Sequence, residues 1–428
     1  MDNPRKFRLL IVAASARAWI HSAEIAGFDV TAFDFFSDWD SRGVGESCGC
    51  SSQVSWRENP TRTVVRLECF EDLLLQKNLD LMSGCDYAIF AGGLENNPSI
   101  IEALASQVSV LGPDARQHAR LSDTVKVLAW LKTMGYQVPE SSCRLGAEAS
   151  PREWLKKSFR SSSGLGIQRA TEEDAGSDSR LHYFQREVQG ENFSGVFISM
   201  PKFGEDGGTA LVGWTRQLVN EQWCGAGEFR YCGSIGPVPI QESLKEKIET
   251  IGRAIAEQYG IVGAWGIDFL VDGSNAWPVD LNIRLTASME IIEGGNRDTS
   301  TPYRSVVDLH VLACLGNLDM QRLRRSTDLT GLESDACFGK SIVFYDGEDP
   351  VRITEAFHRQ LVFQWRLIGE LEPGQIGVAD IPNEGELIRP GQPICTILVK
   401  QDSRRVVDIL KSATGRIRQT LLQLGSRQ

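Results

Sequence analysis

Three oxygen-bearing side chains in this sequence could together hold a hard cation. Asp268 lies in GIDFLVD, and Asp280 and Asn282 lie in WPVDLNIR. If the two runs pair as a hairpin about Asp272-Gly273, Asp268 and Asp280 stand on neighbouring strands, and Asp280 and Asn282, two apart, share a face. Carboxylates and an amide oxygen suit magnesium, whose shell nucleotide phosphates commonly complete. The bland alternative is a set of solvated residues on an exposed hairpin. The flanking Phe269, Leu270, Val279, Leu281 and Ile283 speak against it, because polar groups among core strands need partners.

A second run could hold phosphate. Lys157 precedes SFRSSSGLGI, so a lysine stands beside the small-residue loop Ser161 to Gly166. Small residues let backbone N–H groups close on an anion, and the lysine supplies a cation. Taken alone, a Ser/Gly turn between strands is the commoner meaning of such a loop. Other candidates for chemistry are weaker. Of the ten cysteines only Cys48 and Cys50 lie close together, without the two-residue spacing usual for zinc. The five histidines, His21, His118, His182, His310 and His358, show no ligand spacing.

The elements that must position these groups read as follows. FRLLIV, a helical stretch through Ile25 and DVTAFDFF form a strand, helix, strand unit, and YAIFAGG and VSVLG continue it, so residues 1–115 predict a doubly wound α/β domain. Asp123 to Met134 reads as a helix. From Trp154 short strands alternate with Gly and Ser loops, and an amphipathic helix runs from Ser243 to Tyr259, giving mixed α and β over 116–330. Residues 331–428 read as a small β-rich module closed by a helix from Arg405 to Leu422.

Bulk properties narrow the class. With 428 residues, 42% of them hydrophobic and 24% charged, the chain can build several cores. A net charge of −11 argues against a nucleic-acid partner. No run approaches the length of a membrane span, so no membrane partner is expected, and the scattered cysteines suit a reduced, cytoplasmic setting. A homodimer is compatible with this composition.

Taken in order, Lys157 with its glycine loop, the strand ending QREVQGEN, Asp268 and the D-x-N-x-R run at Asp280, Asn282 and Arg284 resemble the ATP-grasp superfamily over roughly Ser122 to Leu315. The resemblance implies an ATP-grasp fold behind an α/β domain, with ATP and Mg2+ as cofactors. It implies that Lys157 contacts phosphates under a flap that includes Ser163, Gly164 and Gly166. Gln185, Arg186, Glu187 and Val188 would be the hinge that reads adenine, with Glu191 or Asn192 near the ribose. Asp268, Asp280 and Asn282 would ligate magnesium. Arg284, on the same strand face, would stabilise the transferred phosphoryl group; its bland alternative is a structural arginine paired with Glu290 or Glu293. Three positions depart from the pattern: Asp280 replaces a glutamate, Asn192 an acid, and Asp123-Thr124 the usual Asp-Lys, leaving Lys126 as a displaced stand-in.

Substrate groups are expected where the first domain meets the grasp. Gly92, Gly93, Glu95 and Asn96 follow one parallel strand and Ser15 and Arg17 another, at the carboxyl edge where open α/β sheets bind ligands. For Arg17 a solvated turn residue is an equal alternative. Arg216, Arg230, Tyr231, Ser288 and Glu290 are second-rank candidates. The resemblance implies a carboxylate–amine ligase working through an acyl phosphate on small-molecule substrates. GGLEN and NIRLTASME are similar to an ATP-grasp set linked to methanopterin or methanofuran one-carbon metabolism. The rival reading is a nucleotide- or metabolite-binding protein that keeps the fold without turnover.

Overall fold

The computed structural model describes residues 7–42, 62–160, 163–176, 181–201, 207–295, 303–327, 336–364 and 376–427. Cys48 and Cys50 lie outside them; the cysteines within are free thiols. Among the described residues no helix is long and apolar enough to cross a membrane.

The first part is a five-stranded parallel sheet in the order Arg62–Arg66, Asp29–Asp34, Arg8–Ala13, Tyr87–Phe90, Ser109–Val110. Leu9 to Ala13 are buried without alternation, because helices cover both faces of such a sheet. Helix Arg17–Ala26 ends at Gly27, whose φ of +92° closes the last turn. The carboxyl ends of the strands carry the Ala14–Ala16 turn, the loop from Phe35 to Arg42 and the Gly92–Asn97 loop.

Two antiparallel sheets follow. The smaller joins Ser141–Ser142, His182–Arg186, Trp154–Ser158 and Ile167–Arg169. The larger runs Asn275–Asn282, Gly263–Asp272, Glu191–Met200, Gly208–Val219, Tyr231–Gly236, Ala336–Phe344, Pro393–Asp402, Ile376–Ala379. Helix Glu242–Tyr259 lays Leu244, Ile248, Ile251 and Ile255 on it, in one core with Phe197, Trp214 and Trp265. Helix Thr124–Thr133 begins at Asp123, whose side chain accepts from the Lys126 N–H.

The expected boundary at residue 331 falls between strands of one sheet. Tyr231–Gly236 pairs with Ala336–Phe344, and the last two strands extend the same ladder. Helix Val406–Leu424 covers this end with Val406, Leu410, Ala413, Ile417 and Leu421. At the seam Gly233 has φ +148°, and a Cβ there would lie 1.9 Å from the Lys340 carbonyl oxygen. Gly233→Ala must part the two strands and is expected to cost about 1–3 kcal/mol or more in a denaturant melt. Gly273→Ala, at a turn with nothing within 4 Å, is expected to cost roughly 1 kcal/mol or less. Equal costs at both positions would mean that this seam tolerates separation.

Candidate active site

The hairpin forms about Asp272-Gly273 as its pattern predicts, with one irregularity that matters. Phe269 pairs with Pro278 but Asp268 pairs with Asp280, so Val279 is an extra residue. Pro278 has no N–H for the ladder, and a bulge next to it re-aims the residues beyond. The bulge brings Asp280 opposite Asp268. Asn282 confirms the convergence, since its Nδ2 donates to Asp268 Oδ2 and Asp280 Oδ2, each at 3.3 Å. Gln217 Nε2 donates to Asp268 Oδ1 at 3.0 Å. Burial, and then the neighbouring Asp280 charge, push the Asp268 carboxyl up to about 7. Burial raises Asp280 as well, with Lys157 and Arg284 acting against it. Among the described residues neither carboxylate has an ion-pair partner and no group of three or more His, Cys, Asp or Glu could hold a metal. A magnesium ion here would rest on Asp268, Asp280 and the Asn282 amide oxygen, with phosphates supplying the remainder.

These groups open onto a cleft of about 510 Å³ between the two antiparallel sheets. Across it stands Lys157, 8% exposed, whose Nζ donates to the Gln185 amide oxygen at 2.6 Å. Among the described residues no carboxylate pairs with it. Burial pushes its ammonium down to about 8, while the charges of Asp280 and Asp268 work the other way. A buried cation whose partner is neutral is suited to an incoming anion. Ser163 and Gly164 line the cleft, and the Ser163 carbonyl accepts from the Tyr231 N–H at 3.2 Å. Gly164 has φ +77° and passes so near Phe229 that a Cβ would lie 1.9 Å from its carbonyl oxygen. The loop therefore closes the cleft by backbone against backbone. Ser161 and Ser162 lie outside the described residues, and the Gly166 carbonyl accepts from the Ser158 N–H at 3.3 Å.

Gln185, Arg186, Glu187, Val188 and Asn192 all line the cleft. Arg186 and Glu187 turn their charges away, to Glu153 and Arg169. Their N–H groups donate to the Glu140 and Glu153 carbonyls, and the Val188 N–H has no protein acceptor among the described residues. Glu191 is exposed and does not line the cleft, so of the two ribose candidates the strand's alternation presents Asn192.

Arg284 lines the cleft by a route other than the expected one. The strand ends at Asn282, and the Arg284 N–H turns back to the Asn282 carbonyl at 2.8 Å. Its Nε donates to Glu95 Oε1 at 2.7 Å, and Gly92 packs against its guanidinium. Glu95 also accepts from the Gly93 N–H at 2.5 Å, where Gly93 has φ +109°. Asn96 lies in the same turn. The partner is thus Glu95 of the first domain, not Glu290 or Glu293.

Several expectations need correction. Lys126 is 83% exposed and pairs with Asp123 at 2.7 Å, its own helix cap, while Thr124 lines the cleft instead. Arg17 is neither solvated nor free: it is 3% exposed and bonds Asp380 Oδ1 at 2.9 Å and Glu290. Ser15 is exposed. Arg216 points to the face opposite Gln217, toward Cys337, because side chains alternate along the strand. Arg230 lies 4.9 Å over the Phe344 ring, although its neighbours Phe229 and Tyr231 line the cleft. Ser288 lines the cleft, and Glu290 is held by Arg17 and Lys340. Gln217 went unnoticed beside Arg216; period-two counting from Val219 would have found it.

The Lys157 proton yields a test. An anionic nucleotide needs the charged form, which is lost as pH rises through about 8. ADP affinity measured by calorimetry is expected to fall above that point, approaching about tenfold per pH unit. Lys157→Met should bind weakly with a flat profile. A wild-type profile flat to roughly pH 9.5 would show that the lysine does not meet the phosphates.

The family model described as "ATP-grasp domain" matches residues 121–288. Curated protein sequences yield no match. Solved structures share the fold over nearly the whole chain. N5-carboxyaminoimidazole synthase from Aspergillus clavatus, in complex with ADP and 5-aminoimidazole ribonucleotide, superposes with a TM-score of 0.65 at 11% identity, covering 96% of this chain and 99% of that one. N5-carboxyaminoimidazole ribonucleotide synthetase from Thermus thermophilus gives 0.59 at 16% identity, covering 96% and 98%. Biotin carboxylase from Campylobacter jejuni gives 0.65 at 14% identity, covering 97% and 95%. Residues 121–288 are thus similar to the ATP-grasp domain, and they are flanked in this chain by a parallel α/β part and a β-rich end, the arrangement of the solved structures that share its fold.

Proposed function

We propose that the protein is an ADP-forming ligase that joins a small carboxylate to an amine. The observation that carries this reading is the charge pattern of the cleft. A buried lysine without a carboxylate partner faces two carboxylates that repel each other, and Mg–nucleotide satisfies both halves. Bound Mg–ATP would supply the phosphoryl group that activates the carboxylate as an acyl phosphate. The chain's own groups then have distinct work. Arg284 offers a planar fork to an oxyanion and is oriented by Glu95. Helix Ala287–Gly295 starts at the cleft, with Ser288 lining it and Thr286 Oγ1 buried without a partner among the described residues. A carboxylate would rest there against the guanidinium and the helix start. The amine nitrogen forms the new C–N bond, loses its proton, and phosphate leaves.

The A. clavatus protein supports the reading, since its complex contains ADP together with 5-aminoimidazole ribonucleotide. The narrower role in one-carbon cofactor assembly, on a glutamate-bearing or aminomethyl-bearing precursor, rests on the likeness of Gly92 to Asn96 and Asn282 to Glu290 alone. One observation favours the rival, a binding protein without turnover: Thr124 stands in the cleft at the position of the usual first lysine.

Hydroxylamine decides between them, because it traps acyl phosphates as hydroxamates. A panel of small carboxylates with Mg–ATP and hydroxylamine is expected to give carboxylate-dependent ADP release. Arg284→Lys keeps the charge and loses the fork, and should slow hydroxamate formation by about 10²-fold with ADP affinity nearly intact. Nucleotide binding without ADP release from any carboxylate would favour the rival. A normal rate with a lowered Tm in Arg284→Lys would make the residue a strut to Glu95 only.

A further inference from the structure

Lys156 and Lys157 are adjacent in sequence and opposite in use. Side chains alternate along strand Trp154–Ser158, so the two point to different faces. Lys156 pairs with Asp174 at 2.7 Å, and its charge is consumed there. Lys157 turns to the cleft and gives its hydrogen bond to the neutral Gln185 amide. The charges that face it, Asp280 and Asp268, stand on the opposite wall, and Tyr183 on the neighbouring strand is a phenol that burial keeps protonated. The amide contact therefore decides where this ammonium is held.

An amide serves a cation only if its oxygen, not its NH2 group, faces it. A third residue fixes that choice. Ser141 pairs with Gln185 across strands Ser141–Ser142 and His182–Arg186, on the same face, and Gln185 lies diagonal to Lys157, whose direct partner is Tyr183. Ser141 Oγ donates to the Pro139 carbonyl at 3.2 Å, which leaves only oxygen lone pairs toward Gln185. Gln185 Nε2 donates to that oxygen at 3.3 Å, so Oε1 is left for Lys157 at 2.6 Å. With the amide reversed, donor would meet donor at Lys157 and acceptor would meet acceptor at Ser141. Gln185 is 2% exposed, so a partner lost here is not replaced by water without cost.

We propose that Ser141, which does not itself line the cleft, is a positioning residue for phosphate binding: it orients the Gln185 amide, which holds the Lys157 ammonium toward the nucleotide with its charge unspent. This rests on the nucleotide part of the reading above. A cation held by an amide dipole stays available to an incoming anion, whereas a carboxylate in that place would neutralise it, as Asp174 does for Lys156. The three hydrogen bonds act in series, so a loss at Ser141 reaches Lys157 only through Gln185.

The test measures ADP and adenosine affinity by calorimetry on the whole protein with Mg2+ present, because only ADP carries phosphates. Ser141→Ala is expected to weaken ADP about fivefold and Gln185→Met about tenfold or more, the scales of one neutral and one charge-assisted hydrogen bond, with adenosine nearly unchanged. Ser141→Thr, which keeps the hydroxyl, should restore the wild-type value. In the Gln185→Met background Ser141→Ala should add no further loss, since the two act as a unit. ADP and adenosine weakened alike in Ser141→Ala, or a full additional loss in the double variant, overturns the relay and leaves the nucleotide site in place. Wild-type protein that binds ADP no more tightly than adenosine overturns the phosphate role of Lys157 and the relay with it. The readout is binding without turnover, so a protein that shows the relay and releases no ADP with any carboxylate loses the ligase reading and keeps this one.

Discussion

The repulsion between Asp268 and Asp280 is the constraint around which the rest of the molecule is arranged. Two carboxylates side by side on core strands are costly without a counter-charge, and Arg284 beside them is already engaged by Glu95. The fold keeps the pair together by other means. Pro278 and the bulge at Val279 set the register, Gln217 and Asn282 donate to the carboxylates, and the long antiparallel sheet fixes the strands on both sides. Lys157 enters from the second sheet, so the cleft divides its charges between two walls, with the nucleotide as the element that would join them.

The connections between the three parts are ionic as well as apolar. Arg284 and Glu95 tie the cleft to the carboxyl edge of the parallel sheet, and Arg17 ties the first helix to Glu290 and Asp380. Beneath them Ile11, Trp19, Met289 and Val307 share one core. Breaking one partner from such a buried pair leaves an uncompensated charge, a loss on the scale of about 3–5 kcal/mol. These contacts therefore hold the geometry between domains and leave fewer groups free for substrate than their number suggests.

Much of this was legible in residue order. The alternation of polar and apolar residues about Asp272-Gly273 specifies the hairpin, and Lys157 before a glycine loop marks the strand and turn that line the cleft opposite it. The parallel sheet follows from its apolar runs. What was not legible depends on distances that local patterns do not carry. The Val279 bulge follows from a proline's missing N–H, yet its effect on Asp280 needs the partner strand. Neither alternative weighed for Arg17, a ligand contact or a solvated turn residue, included its burial against Asp40, Glu290 and Asp380, because these acids are mostly remote in sequence. Lys126 looked near enough to Thr124 to substitute for it, but its helix cap holds it on the surface. Arg216 and Gln217 differ by one residue, and on a strand one residue is the other face.

The most direct measurement is the magnesium dependence of ADP affinity in wild type and in an Asp268→Asn, Asp280→Asn double variant. The carboxylate pair and Lys157 acting together predict that Mg2+ tightens ADP binding in wild type and has little effect in the variant, whose residual affinity comes from the lysine wall. ADP binding indifferent to Mg2+ in wild type, or an unchanged magnesium effect in the variant, would contradict the assignment of the hairpin as the metal-holding wall.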